Sequence, residues 1–450
     1  MPMRRALAVV LLALLVGLAG CSVPNLPNVP GFSSHPDAPP GGDTLGWENG
    51  YWYDDPVNVT TEDGLNASER EAVTARTMAR IERIRGLEFT ETVPVEVISR
   101  AEYRNRSQGN GTTGGAPADP WNDQVWESLL LIGESQGSSE AITDTRSSSV
   151  LGYYSPSRDQ ITVVSPTETP TVSRATLSHE LVHALQDQQF GLTGSPETQD
   201  TQLSRNGLIE GDATYTQQLY EGRCERDWSC IERPQSSGGG GGSSDRQYSG
   251  LFTVIIQPYV SGPSFVDSVR ERGGWDAVNA VYDDYPDSSE QVIHPDRYPD
   301  EEPVNVTVPD RSNGEWDRFD RDPVGDTVGE ASIFALMYHN GQTDANRYSY
   351  QSDPSEGWAG DTVVPYKNSS GGGGYVWVSE WDSERDAREF ADAYRAALVE
   401  EHGASQDGNV YVVPEDSSFA DAFRITTSGD TVRIVNGPTV EDLDGIHRPR

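Results

Sequence analysis

Two histidines and a glutamate within residues 176–188 have the types and spacing that bind a metal ion and activate water. His179 and His183 are four residues apart, so on a helix both side chains lie on one face and can bind one cation together. Glu180 is offset from that face by one position, where its carboxylate can accept a proton from water without being a ligand. These groups match the chemistry of a hydrolytic Zn²⁺ site. The sequence therefore predicts a centre for one zinc ion on this helix.

The source of the third ligand decides which class of zinc site is present. A metzincin would carry Gly at position 186 and His at position 189, and glutamine occupies both positions in this chain. The best candidate is Glu210, in the run LIEGDA on the next predicted helix. Asp212 or Asp187 can complete the site in its place. A hydrolytic zinc site needs three such protein ligands and one open position for water.

The combination of HExxH with a later helix carrying Glu-Gly-x-Ala/Ser resembles the gluzincin type of zinc metallopeptidase. The resemblance implies that His179, His183 and Glu210 are the metal ligands. It also implies that Glu180 is the general base and that the substrate is a peptide or protein. The alternative is a non-catalytic envelope lipoprotein that keeps the metal for a structural or partner-binding role.

One position departs from the gluzincin pattern. Some gluzincins carry an aspartate four residues after the ligand glutamate, where it orients a histidine, and Thr214 stands there in this chain. Asp187, four residues after His183, is therefore the candidate outer-shell partner. Four segments extend the likeness to a set of exported bacterial and haloarchaeal proteins of unassigned function: GYY at 152–154, HALQD at 183–187, EGDA at 210–213 and SEQVIHP at 289–295.

Two further features bear on substrate binding. Residues 150–154 and 160–164 flank the turn-forming run SPSRD and predict a β-hairpin just before the HExxH helix. Because metallopeptidases commonly bind substrate as an added strand, this hairpin is the candidate substrate edge. Three tyrosines can donate a hydrogen bond to a transition-state oxyanion or can pack in the core instead: Tyr215, Tyr220 and Tyr259.

The first 21 residues resemble an export signal that ends in a lipobox. Arg4 and Arg5 precede an apolar run at 6–19 that is too short to span a bilayer, and Cys21 follows Leu-Ala-Gly. We expect export by the Sec or the twin-arginine route and lipid anchoring through Cys21 to the outer face of the cytoplasmic membrane. The alternative is an uncleaved anchor helix that ends at a chance cysteine.

The composition is strongly acidic. Asp and Glu number 71 against 33 Lys and Arg, for a net charge of −38, and Lys367 is the only lysine. Such a surface keeps a protein hydrated in concentrated salt and resembles the proteins of extreme halophiles. The periodic segments and 35% hydrophobic residues argue against a disordered chain. The charge excludes nucleic acid as a partner, and the sequence does not specify an oligomeric state.

Two cysteines remain once Cys21 is assigned to lipidation. Cys224 and Cys230 lie six positions apart, and in an exported protein they are expected to form a small disulfide loop. A cysteine-based metal site is the weaker alternative, because no second Cys or His pair lies nearby in the sequence.

The order of helical and strand-like segments predicts an α+β fold in two parts. Helices are predicted at 65–86, 171–190 and 201–222 in the first part, and residues 249–285 are predicted to form two or three helices interrupted at Pro258 and Pro263. A helix at 383–400 and strands at 375–379, 409–413, 421–426 and 431–435 are predicted in the second part. The expected organisation is a signal at 1–20, a flexible tether at 21–60, a zincin-like domain at 61–300, a linker at 301–325 and an α+β domain at 326–450.

Overall fold

The computed structural model describes residues 38–39, 42–60, 64–109, 118–165, 172–194, 196–231 and 248–448. The predicted signal sequence, Cys21 and the low-complexity run at 236–244 lie outside the described residues. Within the described part of the chain, no helix is both long and apolar enough to cross a membrane. Helices and three sheets alternate along the chain, so the predicted α+β class is confirmed.

The first part of the chain contains most of the helices. Its elements are β1 (Trp47–Glu48), β2 (Tyr51–Trp52), α1 (Ala67–Arg85), β3 (Val95–Ser99), α2 (Arg100–Gly109), α3 (Pro120–Ser128), α4 (Ser138–Ser149), β4 (Gly152–Ser155), β5 (Gln160–Ser165), α5 (Arg174–Phe190), α6 (Gln199–Cys224), α7 (Ser249–Val281) and α8 (Ser289–Ile293).

The second part is dominated by strands. Its elements are β6 (Trp316–Arg318), α9 (Gly329–His339), β7 (Trp358–Asn368), β8 (Gly373–Trp381), α10 (Glu384–Ala396) continued by a π-helical turn (Ala397–Glu401), β9 (Ser405–Asp407), β10 (Val410–Val412), β11 (Ala422–Ser428), β12 (Thr431–Gly437) and α11 (Asp442–His447).

A small three-stranded sheet covers helix α5. The predicted hairpin is present, because β4 pairs antiparallel with β5 and places Gly152 opposite Val163. Strand β3 pairs parallel with the other side of β5, so β4 is an edge strand. Ser173 caps the start of α5. Leu177 and Leu181 on one side of that helix enter a core shared with β5, which fixes the direction in which its histidines point.

Helices α6 and α7 cross at glycines. A Cβ atom built on Gly211 would lie 2.5 Å from the carbonyl carbon of Gly262, and one built on Gly262 would clash with the backbone of Gly207. Since side chains would force the two helices apart, these glycines allow the close approach. The crossing brings the middle of α7 next to residue 210 of α6.

The predicted interruption of α7 at its prolines is wrong. The helix continues through Pro258 and Pro263 and breaks instead at Gly273 and Gly274, where Gly274 adopts a φ of 71°. Proline removes one backbone donor from a helix, but both prolines are buried within the continuous part of α7. The glycine pair has no side chain to oppose the change of direction.

The seven-stranded sheet is antiparallel throughout, with strand order β6-β7-β8-β12-β11-β10-β9. One face packs against α3 and α10, where Trp121 and Val125 share a hydrophobic cluster with Trp377, Phe390 and Tyr394. Thus α3, from the first part of the chain, covers the sheet of the second part. Conversely, helix α9 of the second part packs against α6, α7 and α8 of the first part. The division at 301–325 stays a prediction, and one hydrophobic cluster extends across it.

The predicted tether at 21–60 is wrong for residues 42–60. Strands β1 and β2 pair with each other and pack on α1. The backbone N–H of Gly46 donates to Glu82 at 2.7 Å, and Arg80 donates to the carbonyl of Tyr53 at 2.7 Å. The buried Arg76 and Arg80 of α1 need acceptors, and this segment supplies the carbonyls of Asp55 and Tyr53.

Candidate metal centre

Helix α5 presents two imidazoles to one carboxylate of helix α6. The Nε2 atom of His179 lies 3.2 Å from Oε2 of Glu210, and Nε2 of His183 lies 3.2 Å from the same oxygen. The two Nε2 atoms are 3.1 Å apart. The structure therefore brings the three predicted ligands together as a nearly equilateral triangle of donor atoms.

The size of this triangle fits zinc. Bonds of about 2.0–2.1 Å at tetrahedral angles place neighbouring ligand atoms about 3.3–3.4 Å apart. The observed edges of 3.1 and 3.2 Å need only a small expansion to reach that spacing. Two imidazoles and one carboxylate are also a known donor set for catalytic zinc, in which the fourth position takes water or substrate. His179, His183 and Glu210 can therefore hold one zinc ion.

The charges of the three groups favour a bound cation. Burial lowers the pKa of His183, but the adjacent Glu210 carboxylate outweighs burial and raises that pKa to about 9. Burial also opposes ionisation of Glu210, but the two imidazoles bring its pKa well below the usual range. The carboxylate thus keeps its negative charge and draws positive charge to the imidazoles. A metal ion would supply that positive charge directly.

Glu180 lies beside the triangle and beneath the edge strand β4. It is 6% exposed, and a Cβ atom built on Gly152 would lie 3.1 Å from its Oε1 atom. Burial raises the pKa of Glu180, while the charges of the two histidines and a hydrogen bond from the Tyr154 backbone oppose that rise. A carboxylate with a raised pKa is suited to accept and return a proton near neutral pH.

Gln186 is an outer-shell partner of His183 that the sequence pattern did not predict. Its Oε1 atom lies 2.9 Å from Nδ1 of His183, and its amide donates to the carbonyl of Ile209 at 3.0 Å. Gln186 therefore orients the imidazole and connects it to the helix that carries Glu210. The sequence signal was its position three residues after His183, which places both side chains on one helix face.

The predicted outer-shell role of Asp187 is wrong. Its carboxylate accepts hydrogen bonds from the Tyr154 hydroxyl at 2.9 Å and from the Leu192 backbone at 2.8 Å. These contacts tie the end of α5 to β4 and to the following loop. Asp187 thus supports the hairpin beside the site, and its neighbour Gln186 contacts His183 instead.

Asp212, the alternative third ligand, is bonded elsewhere. It is fully buried and forms a salt bridge with Arg85 at 3.0 Å. It also accepts hydrogen bonds from the Tyr282 hydroxyl at 2.8 Å and from Gln186 at 3.3 Å. A carboxylate held by this network joins α1, α6 and α7 and fixes Gln186. Glu210, two residues earlier and therefore on a different face of α6, is the carboxylate that faces the histidines.

One of the three candidate tyrosines reaches the site. Tyr259 on α7 lies parallel to His179 with ring centroids 6.1 Å apart, and its pKa is raised by desolvation and by the neighbouring Glu210. The Tyr215 hydroxyl donates to Asp267 at 2.5 Å, and Tyr220 is buried against Trp228. Tyr259 is 45% exposed, and its hydroxyl group forms a hydrogen bond with Glu210, so it lies directly beside the triangle.

The predicted disulfide between Cys224 and Cys230 is confirmed. It closes a short loop directly after α6, and the guanidinium of Arg80 lies 3.3 Å from the sulfur of Cys230. Because the two sulfurs are bonded to each other, the alternative of a cysteine-based metal site is excluded.

Comparison with known families bears on the second part of the chain. A family described as a domain of unknown function (DUF8575) matches residues 317–447. This match spans the seven-stranded sheet from within β6, together with α9 and α10, and it leaves out the three candidate metal ligands. Neither the curated proteins nor the solved structures that were compared gave a match.

Proposed function

We propose that this protein is a zinc-dependent peptidase of the gluzincin type, with a zincin-like first part. The observation that carries the proposal is the triangle of His179, His183 and Glu210, with edges of 3.1–3.2 Å, beside a buried glutamate. The antiparallel edge strand β4 supports it, because it runs directly above Glu180.

The proposed mechanism assigns a role to each group of this chain. Zinc, when bound, supplies a Lewis acid that polarises a carbonyl and makes water more acidic. Glu180 accepts the proton of the attacking water and passes it to the leaving amine. Tyr259 donates a hydrogen bond to the oxygen on which negative charge develops. Strand β4 aligns the peptide by pairing with its backbone.

Metal content and hydrolysis, measured together in molar salt, test the proposal. Glu180→Gln should bind one zinc per chain and lose peptide hydrolysis, since the amide cannot accept the proton. His183→Ala should lose zinc, as measured by elemental analysis. Hydrolysis by Glu180→Gln at the rate of the parent protein would overturn the catalytic assignment, and full zinc retention by His183→Ala would overturn the ligand assignment.

The low exposure of Glu180 favours a second candidate, a non-catalytic metal-binding envelope protein. A carboxylate that is only 6% exposed and lies against Gly152 of β4 offers little surface to a substrate. Zinc content and peptide hydrolysis, measured together, distinguish the two functions. Zinc binding without hydrolysis of any peptide by the parent protein would favour the structural role.

We also propose that the protein acts at the cell surface. The proposal rests on the signal-like residues 1–20, on the lipobox that ends at Cys21 and on the acidic composition. Treatment of the producing cells with a labelled fatty-acid or isoprenoid precursor tests it. The parent protein should incorporate the label, and Cys21→Ser should not.

A further inference from the structure

A second group of carboxylates lies where α3 meets the seven-stranded sheet. Glu127 is in the last turn of α3, Glu134 is in the loop that follows, and Asp421 directly precedes β11. Their carboxylate oxygens lie within 4.8 Å of one another. Glu127 is 2% exposed and Asp421 is 6% exposed, whereas Glu134 is exposed at the rim. The group is thus buried but open to solvent on one side.

No basic side chain of the described residues forms a salt bridge with any of these three acids. Burial raises the pKa of Glu127, and the neighbouring Asp421 and Glu134 raise it further. Burial and Glu134 likewise raise the pKa of Asp421 to about 8. Buried like charges at this separation need a compensating positive charge, supplied by protons or by a metal cation.

A buried amide provides an independent sign of a ligand. Asn436 on β12 is fully buried, and within the described part of the chain its Oδ1 atom has no hydrogen-bond partner. It pairs with Phe423, so its side chain lies on the same sheet face as that of Asp421, two residues earlier. Its amide nitrogen faces the Asp421 carboxyl closely enough to act as a hydrogen-bond donor that lowers the pKa of that group. A fully buried amide oxygen without a partner is costly unless a ligand satisfies it.

Side-chain oxygen atoms of Gln124 and Glu127 lie at the same group of acids. The amide nitrogen of Gln124 donates to Oε2 of Glu127 at 2.9 Å. The Oε1 atoms of both Gln124 and Glu127 are buried and lack a partner within the described part of the chain. The donors are therefore carboxylate and amide oxygens, with no nitrogen or sulfur ligand among them. Such a set selects a hard cation that accepts six to eight oxygens.

We propose that Glu127, Glu134 and Asp421, with the amide oxygens of Asn436 and Gln124, bind one Ca²⁺ ion. The ion joins the end of α3 to the start of β11 and the end of β12, and so fastens the first part of the chain to the second. Glu134 at the rim gives the ion its path from solvent. This site is separate from the zinc centre and does not depend on the proposed peptidase activity.

Calcium titration of the full-length protein tests the proposal. The His183→Ala variant, freed of divalent ions and kept at constant molar salt, should bind one Ca²⁺ in calorimetry, and its unfolding temperature should rise with Ca²⁺. Adding Glu134→Gln should weaken Ca²⁺ binding by about tenfold or more, because the charge of the ligand set controls affinity. Glu415→Gln, an exposed acid in the loop before Asp421, is the matched control and should bind as its parent does.

The opposite outcomes would show that the acids hold protons instead. In that case Ca²⁺ leaves the unfolding temperature unchanged, and Glu127→Gln unfolds at the temperature of its parent with Ca²⁺ present, because a neutral amide replaces a neutral carboxylic acid. Either result overturns the proposal. Since Glu134 is exposed, its variant keeps the fold and gives a decision even where Glu127→Gln does not fold.

Discussion

Gln186 illustrates how far a metal site extends beyond its ligands. It contacts His183 on one side and the carbonyl of Ile209 on the other, so one amide sets the distance between the two ligand-bearing helices. Sequence spacing predicted the two histidines because a four-residue interval is a local property of a helix. It did not separate Gln186 from Asp187, since positions three and four after a histidine both lie near it.

Loss of the Gln186 amide should weaken the metal centre. Gln186→Ala should lower zinc affinity by about 10–100-fold, since outer-shell partners hold a ligand imidazole in its binding orientation. Competition with a chromophoric chelator measures this affinity. Gln189→Ala changes an exposed glutamine of the same helix that contacts the carbonyl of Glu88, and it should bind zinc as the parent does. Equal affinities in the two variants would contradict the assigned role.

The hydroxyl group of Tyr259 should affect the rate of peptide hydrolysis and not the binding of zinc. Tyr259→Phe should lower kcat by about 10²–10³-fold with zinc content unchanged, because the lost donor acts on charge that develops only in the transition state. Steady-state kinetics and elemental analysis provide the two readouts. Tyr215→Phe makes the same change at a hydroxyl that is bonded to Asp267, so its kcat should stay at the parent value. A fall in both variants would indicate a general structural effect.

Contacts between side chains that lie far apart in the sequence could not be predicted. Glu127 and Asp421 meet only after α3 has packed on the sheet. Each looks like a surface acid in a chain that contains 71 acids. Glu210 was predictable because the Glu-Gly-x-Ala pattern resembles a known family, whereas the acids of the second group carry no comparable pattern.

The crossing of α6 and α7 is the element contact on which the metal centre depends. Gly262→Ala should destabilise the protein by about 1–3 kcal/mol, since the added methyl group has no space between the two backbones. Chemical denaturation in constant salt measures the change. Zinc affinity should fall as well, because the crossing aligns Glu210 with α5.

The control for this crossing is a glycine of α6 that lies away from the crossing and has open space around it. A Cβ atom on Gly222 would meet only the flexible side chain of Arg226, at 3.7 Å. Gly222→Ala should therefore stabilise the protein by up to about 1 kcal/mol through helix propensity. If the two glycine variants shifted stability in the same direction, the close crossing would not be the cause.

Local patterns predicted elements where they were strong. Helices α1, α5 and α6 and the hairpin of β4 and β5 followed from periodicity and turn residues. Strand β7 was missed because Pro365 lies inside it. Proline is tolerated there because β6 pairs only with residues 366–368, so Pro365 lies just beyond the end of that neighbour. The serine-rich α4 was missed because its composition resembles a loop.

At the scale of the whole molecule, buried acids set the pH dependence of stability. Burial raises the pKa of Asp200 and that of Asp326 to about 7, against about 3.9 in an unfolded chain. The folded protein therefore holds these protons more tightly than the unfolded chain does. Their contribution to stability is complete below the unfolded pKa and is lost as the pH rises through about 7.

Thermal unfolding in constant molar salt checks this dependence. The unfolding temperature should be higher at pH 5.5 than at pH 7.5. Asp326→Asn should reduce the difference, because an amide keeps the hydrogen bond from the Gln199 backbone without titrating. An unfolding temperature that stays constant or rises between the two pH values would contradict the assignment.

The overall organisation was predicted only in part. Composition and the order of segments predicted an α+β chain with a strand-rich end, which the structure has. Helix α3 packs on the sheet of the second part and α9 packs on helices of the first part. This exchange of helices was not predictable, because the amphipathic pattern of α3 does not specify which sheet the helix covers. Its Trp121 packs near residues some two hundred positions away, and its indole donates to the carbonyl of Val324 at 3.1 Å.

That exchange has a consequence for how the chain reaches its native state. During synthesis α3 emerges long before β7 and β8, so its tryptophans have no sheet to cover until most of the chain has been made. Contacts of such long sequence separation form late and slowly, and the exposed apolar surface favours aggregation in the interval. We therefore expect refolding from denaturant to be slow, with the tryptophans of α3 gaining protection only in the last step, together with the final strands.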